Sequence, residues 1–337
     1  MDRIAVFVGL DYHQDSVQVC VMDGGGRVLA NRPCANEWRE IGAMVDRCGQ
    51  VVRAGIEACT GAASLAEELS ERAGWSVDQA HPGYVSRMKQ NPDKTDYTDA
   101  QMLADLVRVG YLPRVWTAPR EVRELRVLIR YRQQLAKARR NAKLRICAIL
   151  REQRAGRGPG RRWTRAWLKW LGEGACMSEQ SHWVVGEHLA ELDSLETRLR
   201  RVEDRLEALT RDDPIVQRLL LYKGIGVVTA WTMRAMVGRF DRFRTGKQLS
   251  RFCGLTPCNA SSGHRQADAG LIRAGDPELR TIIIEAAHRL IRYDPRWKSL
   301  AAKMRAGGKK ACVIAAAVAN RWIRWLFHQM QPERLAA

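Results

Sequence analysis

The chain has no Cys-x-x-Cys pair and no apolar run of the roughly 18 residues that a membrane-crossing helix needs. It also lacks a strongly amphipathic basic helix with a bulky apolar face. The first absence, with an odd total of nine cysteines, argues against a zinc site or a disulfide framework and for reduced thiols. The second excludes a helical membrane protein, and the third puts nucleic acid ahead of a membrane surface as polyanionic partner. Met1-Asp2-Arg3 precedes a short apolar run unlike a secretory signal, so a cytoplasmic protein is expected. Acid is scarce too: 37 Asp+Glu face 56 Lys+Arg, a net charge of +19. With 28% charged and 46% hydrophobic residues in 337, wholesale disorder is excluded and two or three domains are expected.

The charge is segregated. Residues 1–110 hold 11 Lys+Arg against 16 Asp+Glu, and residues 111–170 hold 18 against 3. Residues 171–213 hold 5 against 11, and residues 214–337 hold 22 against 7. An acidic N-terminal region beside two basic ones reads as a catalytic or metal-binding domain joined to nucleic-acid-binding parts.

Ile4 to Leu10 and Val17 to Met22 are strand-like, and Asp23-Gly24-Gly25-Gly26 is a hairpin turn leading to a third strand at Val28-Leu29-Ala30. A helix from Asn36 to about Cys48, a strand from Val51 to Ile56, a helix from Ala63 to Ala73 and a strand from Ser76 to Ala80 follow. The order β-β-β-α-β-α-β is that of an RNase H-like mixed sheet flanked by helices. From Pro119 to about Gly156 the pattern is helical and basic, up to the breaker Gly156-Arg157-Gly158-Pro159-Gly160. Leu192, Leu199 and Leu206, interleaved with Leu195, Val202 and Leu209, then form a heptad seam. That seam suits either a helix packed on its own antiparallel partner or a coiled coil joining protomers. Asp212-Asp213-Pro214 ends it, and a mostly helical C-terminal part follows.

Asp11 closes the first strand and Glu57 the fourth, and these strands are neighbours in an RNase H-like sheet. Asp96 and Asp99, three apart at a helix start, project from one face. Four carboxylates gathered together repel unless a hard cation lies between them, and Mg²⁺ is the expected occupant. Each acid alone is more often a helix cap or strand-end residue. Asp93 competes and is read as N-terminal to the site; His13 is read as a surface residue or a neighbour of the ligands rather than a ligand. In Tyr222-Lys223-Gly224-Ile225-Gly226 the spacing is that of a helix-hairpin-helix turn, in which Lys223 and the amides of Gly224 and Gly226 meet backbone phosphate. A tight turn between packed helices gives the same string. Trp163, Trp167 and Trp170 lie among arginines; stacking on unpaired bases fits their spacing, and core packing on one helix face fits it better.

Taken together, "GLDYHQDS", "AGIEACTG", "DKTDYTDAQMLA" and "GLTPCNASSGHRQADAGLIRAGDPELR" resemble the DEDD transposases of the insertion-sequence-110 family over nearly the whole chain. The resemblance implies a RuvC-like catalytic domain over 1–115, a basic helical segment and coiled-coil stalk over 116–213, and a C-terminal transposase domain over 214–337. It implies that Asp11, Glu57, Asp96 and Asp99 bind the metal and that Ser262 is the nucleophile, with Ser261 the fallback because the two serines are adjacent. It further implies a recombinase that excises and inserts its own element through a phosphoserine link to DNA. A structured non-coding bridge RNA would supply base readout, leaving the protein to hold backbones by charge. Arg265 and Arg273 would neutralise developing charge, Arg273 standing where the resemblance leads one to expect lysine. A homo-oligomer is expected, a dimer that becomes a tetramer in the active complex, with the tetrad of one protomer meeting the serine of another. The protein would be cytoplasmic and nucleoid-associated when on DNA. The rival readings are a RuvC-like structure-specific nuclease using metal-activated water, and a non-catalytic RNA-binding scaffold.

Overall fold

The computed structural model describes residues 3–88, 95–259, 268–272 and 274–331. It divides into two compact units, Met1–Ala118 and Pro119–Ala337.

The first unit is a six-stranded mixed sheet of β1 (Ala5–Tyr12), β2 (Ser16–Asp23), β3 (Val28–Ala35), β4 (Gln50–Glu57), β5 (Val77–Ala80) and β6 (Arg114–Val115), in the order β3-β2-β1-β4-β5-β6. Strands β1, β2 and β3 form the antiparallel meander, β4 and β5 add in parallel, and β6 closes the edge antiparallel. This arrangement is consistent with an RNase H-like fold. The meander turns where Asp23 Oδ1 accepts hydrogen bonds from the amides of Gly25 and Arg27, both at 2.9 Å. Gly26 takes a positive φ of 90° there, which a side chain would resist. Helices α1 (Trp38–Asp46) and α2 (Ala62–Ala73) cover one face. The short α3 (Pro82–Met88) and the two-residue β6, neither expected from sequence, complete the unit with α4 (Asp96–Arg108).

Strand parity decides which residues meet which helix. Val6, Val8, Leu10, Val17, Val19, Val21, Ala54 and Ile56 join the core containing Ile41, Val45, Leu65 and Leu69 of α1 and α2. The alternate positions therefore face α4, where Cys20 and Met22 pack on Ala100 and Ala104. Asp11 and Glu57 have this second parity.

The second unit is almost wholly helical: α5 (Arg120–Glu152), α6 (Arg165–Glu173), α7 (Glu179–Thr210), α8 (Pro214–Leu220), α9 (Val227–Val237), α10 (Gly246–Phe252), α11 (Pro277–Tyr293), α12 (Pro295–Ala306) and α13 (Ala311–Gln329). The antiparallel pair β7 (Pro257–Asn259) and β8 (Asp268–Leu271) lies between α10 and α11. Helices α5 and α7 pack antiparallel, with Arg132 on Glu203 at 2.6 Å, Lys143 on Glu196 at 3.7 Å and Arg145 on Glu191 at 3.9 Å. The heptad residues Leu192, Leu195, Leu199, Val202 and Leu206 are buried within this one chain, whereas Leu209 is half exposed. Leu195 through Leu206 share a core with Leu125 and Ile129 of α5 and with residues of α8 to α13. Of the two readings of the seam, the intrachain one describes what fills it here.

The three tryptophans do not share one helix. Thr164 caps α6, accepting from Trp167 N, so Trp163 lies before the helix begins. Trp167 is buried with Leu171 and Ile146, while Trp163 and Trp170 flank that cluster half-buried.

Asp213 ends α7's acidic run and starts α8. Its Oδ1 accepts from Ile215 N and Val216 N, and its Oδ2 receives Arg234 Nε at 2.6 Å with both side chains largely buried. Asp213→Ala removes the cap and strands a buried guanidinium, and should cost about 3–5 kcal/mol. Chemical denaturation of this variant beside Arg234→Ala and the double variant checks it; the double variant should be less destabilised than the sum of the singles.

Candidate functional site

Asp11 and Asp96 come together with His13 on the α4 side of the first sheet, and Glu57 and Asp99 lie near enough to act on Asp11 without joining that close group. Leu10 of β1 pairs with Ile56 of the parallel β4, so Asp11 and Glu57 follow one another across adjacent strand ends. Opposite them, α4 carries both Asp96 and Asp99 in its first turn, the latter buried. Thr95 and Thr98 form a reciprocal capping box, Thr95 Oγ1 accepting from Thr98 N at 3.2 Å. A second tie runs across the sheet: Gln18 Nε2 donates to Asn31 Oδ1 at 2.7 Å, and Asn31 Nδ2 donates to Tyr97 O at 3.0 Å. The first turn of α4 is thus moored to β2 and β3.

The close approach of α4 is permitted by two glycines. Gly9 and Gly55 face each other in the β1–β4 register. A Cβ on Gly9 would collide with Ala100 O and Ala104 N of α4, and one on Gly55 would collide with Val107. Glycine on the strands and alanine at positions 100 and 104 of the helix together set the height of α4 over the sheet.

His13, read from sequence as peripheral, sits between two of the acids. Its Nε2 is 3.4 Å from Asp11 Oδ2 and 3.2 Å from Asp96 Oδ2, in a group of ligand-type atoms all within 4.8 Å of one another. The β1–β2 connection that carries it is held by Asn36 Nδ2, which donates to His13 O and Gln14 O. The sequence signal was the two-residue offset from Asp11, which returns the chain to the same edge.

Burial and nearby charge act on the acids at this edge. Burial pushes the Asp11 carboxyl above its ordinary range, His13 opposes the rise, and Asp96, Asp99 and Glu57 add to it. Burial likewise pushes the nearby Cys59 thiol up; the Ala62 amide opposes this and Glu57 and Asp11 reinforce it, so Cys59 is kept a thiol and is no ready nucleophile. A site crowded with oxygen donors and short of positive charge suits a hard divalent cation.

In the second unit, α8 and α9 are joined by the glycine turn. Gly224 has φ 85° and its carbonyl accepts from Arg289 Nε at 3.1 Å; Lys223 and Gly226 are exposed. Past β8, Arg280 Nη2 donates to Ile272 O at 3.1 Å and Ala274 O at 2.8 Å, fixing the chain that enters α11. Ser261, Ser262, Arg265 and Arg273 lie outside the described residues, as does Asp93. Among the described residues no helix is long and apolar enough to cross a membrane.

Comparison with known proteins gives two family matches along the chain, the first running from the sheet into α5. Residues 8–154 match a family model of DEDD transposases of the IS110 type, described as transposase. Residues 216–302 match one described as transposase of the IS116/IS110/IS902 family. A probable family 20 transposase of Pseudomonas aeruginosa is 28% identical over 97% of each chain. The transposase for insertion sequence element IS1111A of Coxiella burnetii is 28% identical over 94% of this chain and 88% of its own. The transposase for insertion sequence element IS1533 of Leptospira borgpetersenii is 22% identical over 98% and 97%.

Proposed function

This chain belongs to the IS110 family of transposases, DNA-binding enzymes that cut and rejoin DNA, and we propose that it moves its own element through a phosphoserine intermediate with an RNA as guide. The observation that carries the catalytic part is the meeting of Asp11 and Asp96 at His13 Nε2, 3.4 and 3.2 Å away, with Glu57 following Ile56 on the strand beside Asp11. These four residues would hold Mg²⁺. Bound there, the ion would polarise a scissile phosphate and offset the charge that develops on it.

The protein's own groups do the rest. His13, shared between Asp11 and Asp96, bridges the two carboxylates and orients them. Ser262 is the proposed nucleophile: its Oγ forms a bond to phosphorus, the ester bond to the leaving deoxyribose oxygen breaks, and the serine proton leaves with the departing group. One phosphoester replaces another, so the bond energy is retained and the strands can be rejoined without an external energy source. Arg265 and Arg273 would stabilise the transition state, and Lys223 with the amides of Gly224 and Gly226 would grip a backbone phosphate. Base readout is left to a structured RNA, which suits a chain whose cations lie in long runs rather than at isolated base-reading positions. The working unit is a homo-oligomer in which protomers complete one another's sites, and the enzyme acts in the cytoplasm on nucleoid DNA.

The test is a covalent-adduct assay on denaturing gels, with DNA bearing the element's ends. Ser262→Ala should lose the protein–DNA adduct and strand exchange together, while Ser261→Ala keeps both. Cleavage that persists in Ser262→Ala would instead indicate a nuclease using activated water. Strand exchange unaffected by Asp11→Ala would reduce the first unit to a nucleic-acid scaffold.

A further inference from the structure

On α5, Arg139, Arg140, Lys143 and Leu144 fall on one stretch of helix surface, and the segment before α6 brings Arg162 and Trp163 over it. Between them lies a concavity of about 470 Å³ whose lining residues include four cations and no carboxylate. That volume lies inside the ~300–1,000 Å³ range of small-ligand sites. Its apolar lining residues are Trp163, Ala136 and Leu144, the last a large hydrophobic residue that is 56% exposed.

Trp163 is held there at some cost. Its φ is 68°, in the left-handed region that a bulky side chain rarely enters. Trp167 fills the interior, and Trp163 packs half-buried on its outer side. The Trp163 ring lies 4.8 Å from the Trp167 ring, and Lys143 Nζ lies 4.9 Å from the Trp163 centroid. The segment is anchored rather than loose. Gly158 packs so closely on the rings of Trp167 and Trp170 that a Cβ would collide with them, and Arg162 Nη1 reaches Cys147 Sγ at 3.8 Å. An aromatic face set among cations, with no acid in the lining, has the chemistry of one nucleotide: a base to stack and a phosphate to pair.

We propose that this concavity receives an unpaired nucleotide, the base displacing the Lys143 ammonium from the Trp163 face and stacking there, and the flanking phosphates pairing with Arg139, Arg140 and Arg162. A duplex cannot present a base in this way, so the site selects single-stranded or extruded nucleic acid. The inference does not rest on RNA guidance or on the serine mechanism. A DNA single strand and an RNA single strand offer the same chemistry, and the experiment separates them.

Fluorescence anisotropy on the full chain, without divalent metal and at fixed salt, tests it with three labelled strands of equal length: an oligothymidylate, an oligouridylate and an abasic deoxyribose-phosphate strand. A base-bearing strand should bind roughly 5- to 100-fold more tightly than the abasic one, the range that one stacked base commonly gives. Trp163→Leu should collapse that difference and leave abasic binding unchanged, and Trp163→Phe should restore most of it. Arg140→Gln should weaken all three alike and flatten the salt dependence. Tighter thymidylate assigns the pocket to DNA, and tighter uridylate assigns it to RNA. Equal binding of base-bearing and abasic strands by the unaltered protein overturns the proposal. So does a Trp163→Leu protein that keeps the difference, or displacement of the base-bearing strand by oligoglutamate at matched charge.

Discussion

Asp11→Asn should abolish strand exchange and at the same time make the metal-free protein harder to melt. Losing one of the carboxylates that would hold the ion should lower the rate by roughly 10²–10⁴. The gain in stability comes from the same residue. Burial and three neighbouring acids hold its carboxyl above the ordinary range. An acid whose folded-state value is raised contributes stability below its unfolded value, and loses that contribution as pH rises through the folded one. At neutral pH the metal-free protein therefore carries unrelieved repulsion at this edge, and the neutral amide removes part of it. Thermal melts across that pH interval should show the unaltered protein losing stability as pH rises and Asp11→Asn losing less. A divalent cation should raise the melting temperature of the unaltered protein and leave that of Asp11→Asn nearly unmoved. If both proteins respond equally to the cation, these carboxylates do not hold it.

Gly9→Ala should damage the enzyme almost as severely with no change in any charged group. The added methyl would meet backbone atoms of Ala100 and Ala104, which cannot swing aside as a flexible side chain can. Helix α4 must rise or tilt, at about 1–3 kcal/mol for overpacking of this kind. Asp96 and Asp99 ride on that helix, and a displacement near 1 Å at reacting groups costs on the order of 10² in rate. The control is Gly42→Ala in α1, where nothing lies within reach of an added Cβ and a helix interior favours alanine. Strand-exchange rates and urea melts of the two variants should diverge, Gly9→Ala losing both and Gly42→Ala neither. Near-normal exchange in Gly9→Ala would show that the height of α4 is not critical.

The amino-acid sequence announces the sheet well, because strand parity and turn chemistry are local. Asp23-Gly24-Gly25-Gly26 turns the meander as its composition suggests, and the acids at the ends of β1 and β4 are placed by register alone. What escaped depends on surfaces that meet only after folding. The placing of Gly9 under Ala100 and Ala104, and of its partner Gly55 under Val107, joins residues far apart in the chain, and each glycine alone looks like an ordinary weak strand position. That His13 neighbours the acids follows from its offset from Asp11, whereas its contact with Asp96 exists only once α4 is in place. The tryptophans read as one helical face because their spacing is helical, but the Thr164 cap starts the helix after Trp163. The heptad seam could be recognised from its period, and its partner could not, since α5 and a second protomer satisfy the same spacing.

The antiparallel packing of α5 and α7 also bears on how strongly this protein should respond to salt. Arg132, Lys143 and Arg145 already have carboxylate neighbours on α7. Helix α7 thus behaves as a tethered counterion for one side of the basic helix. Only cations turned away from it can release mobile ions when nucleic acid arrives, so the salt slope should reflect fewer charges than the 18 Lys+Arg of residues 111–170. Neutralising α7 acids such as Glu196 and Glu203 would uncover a second basic face and trade selectivity of approach for indiscriminate adhesion to polyanions.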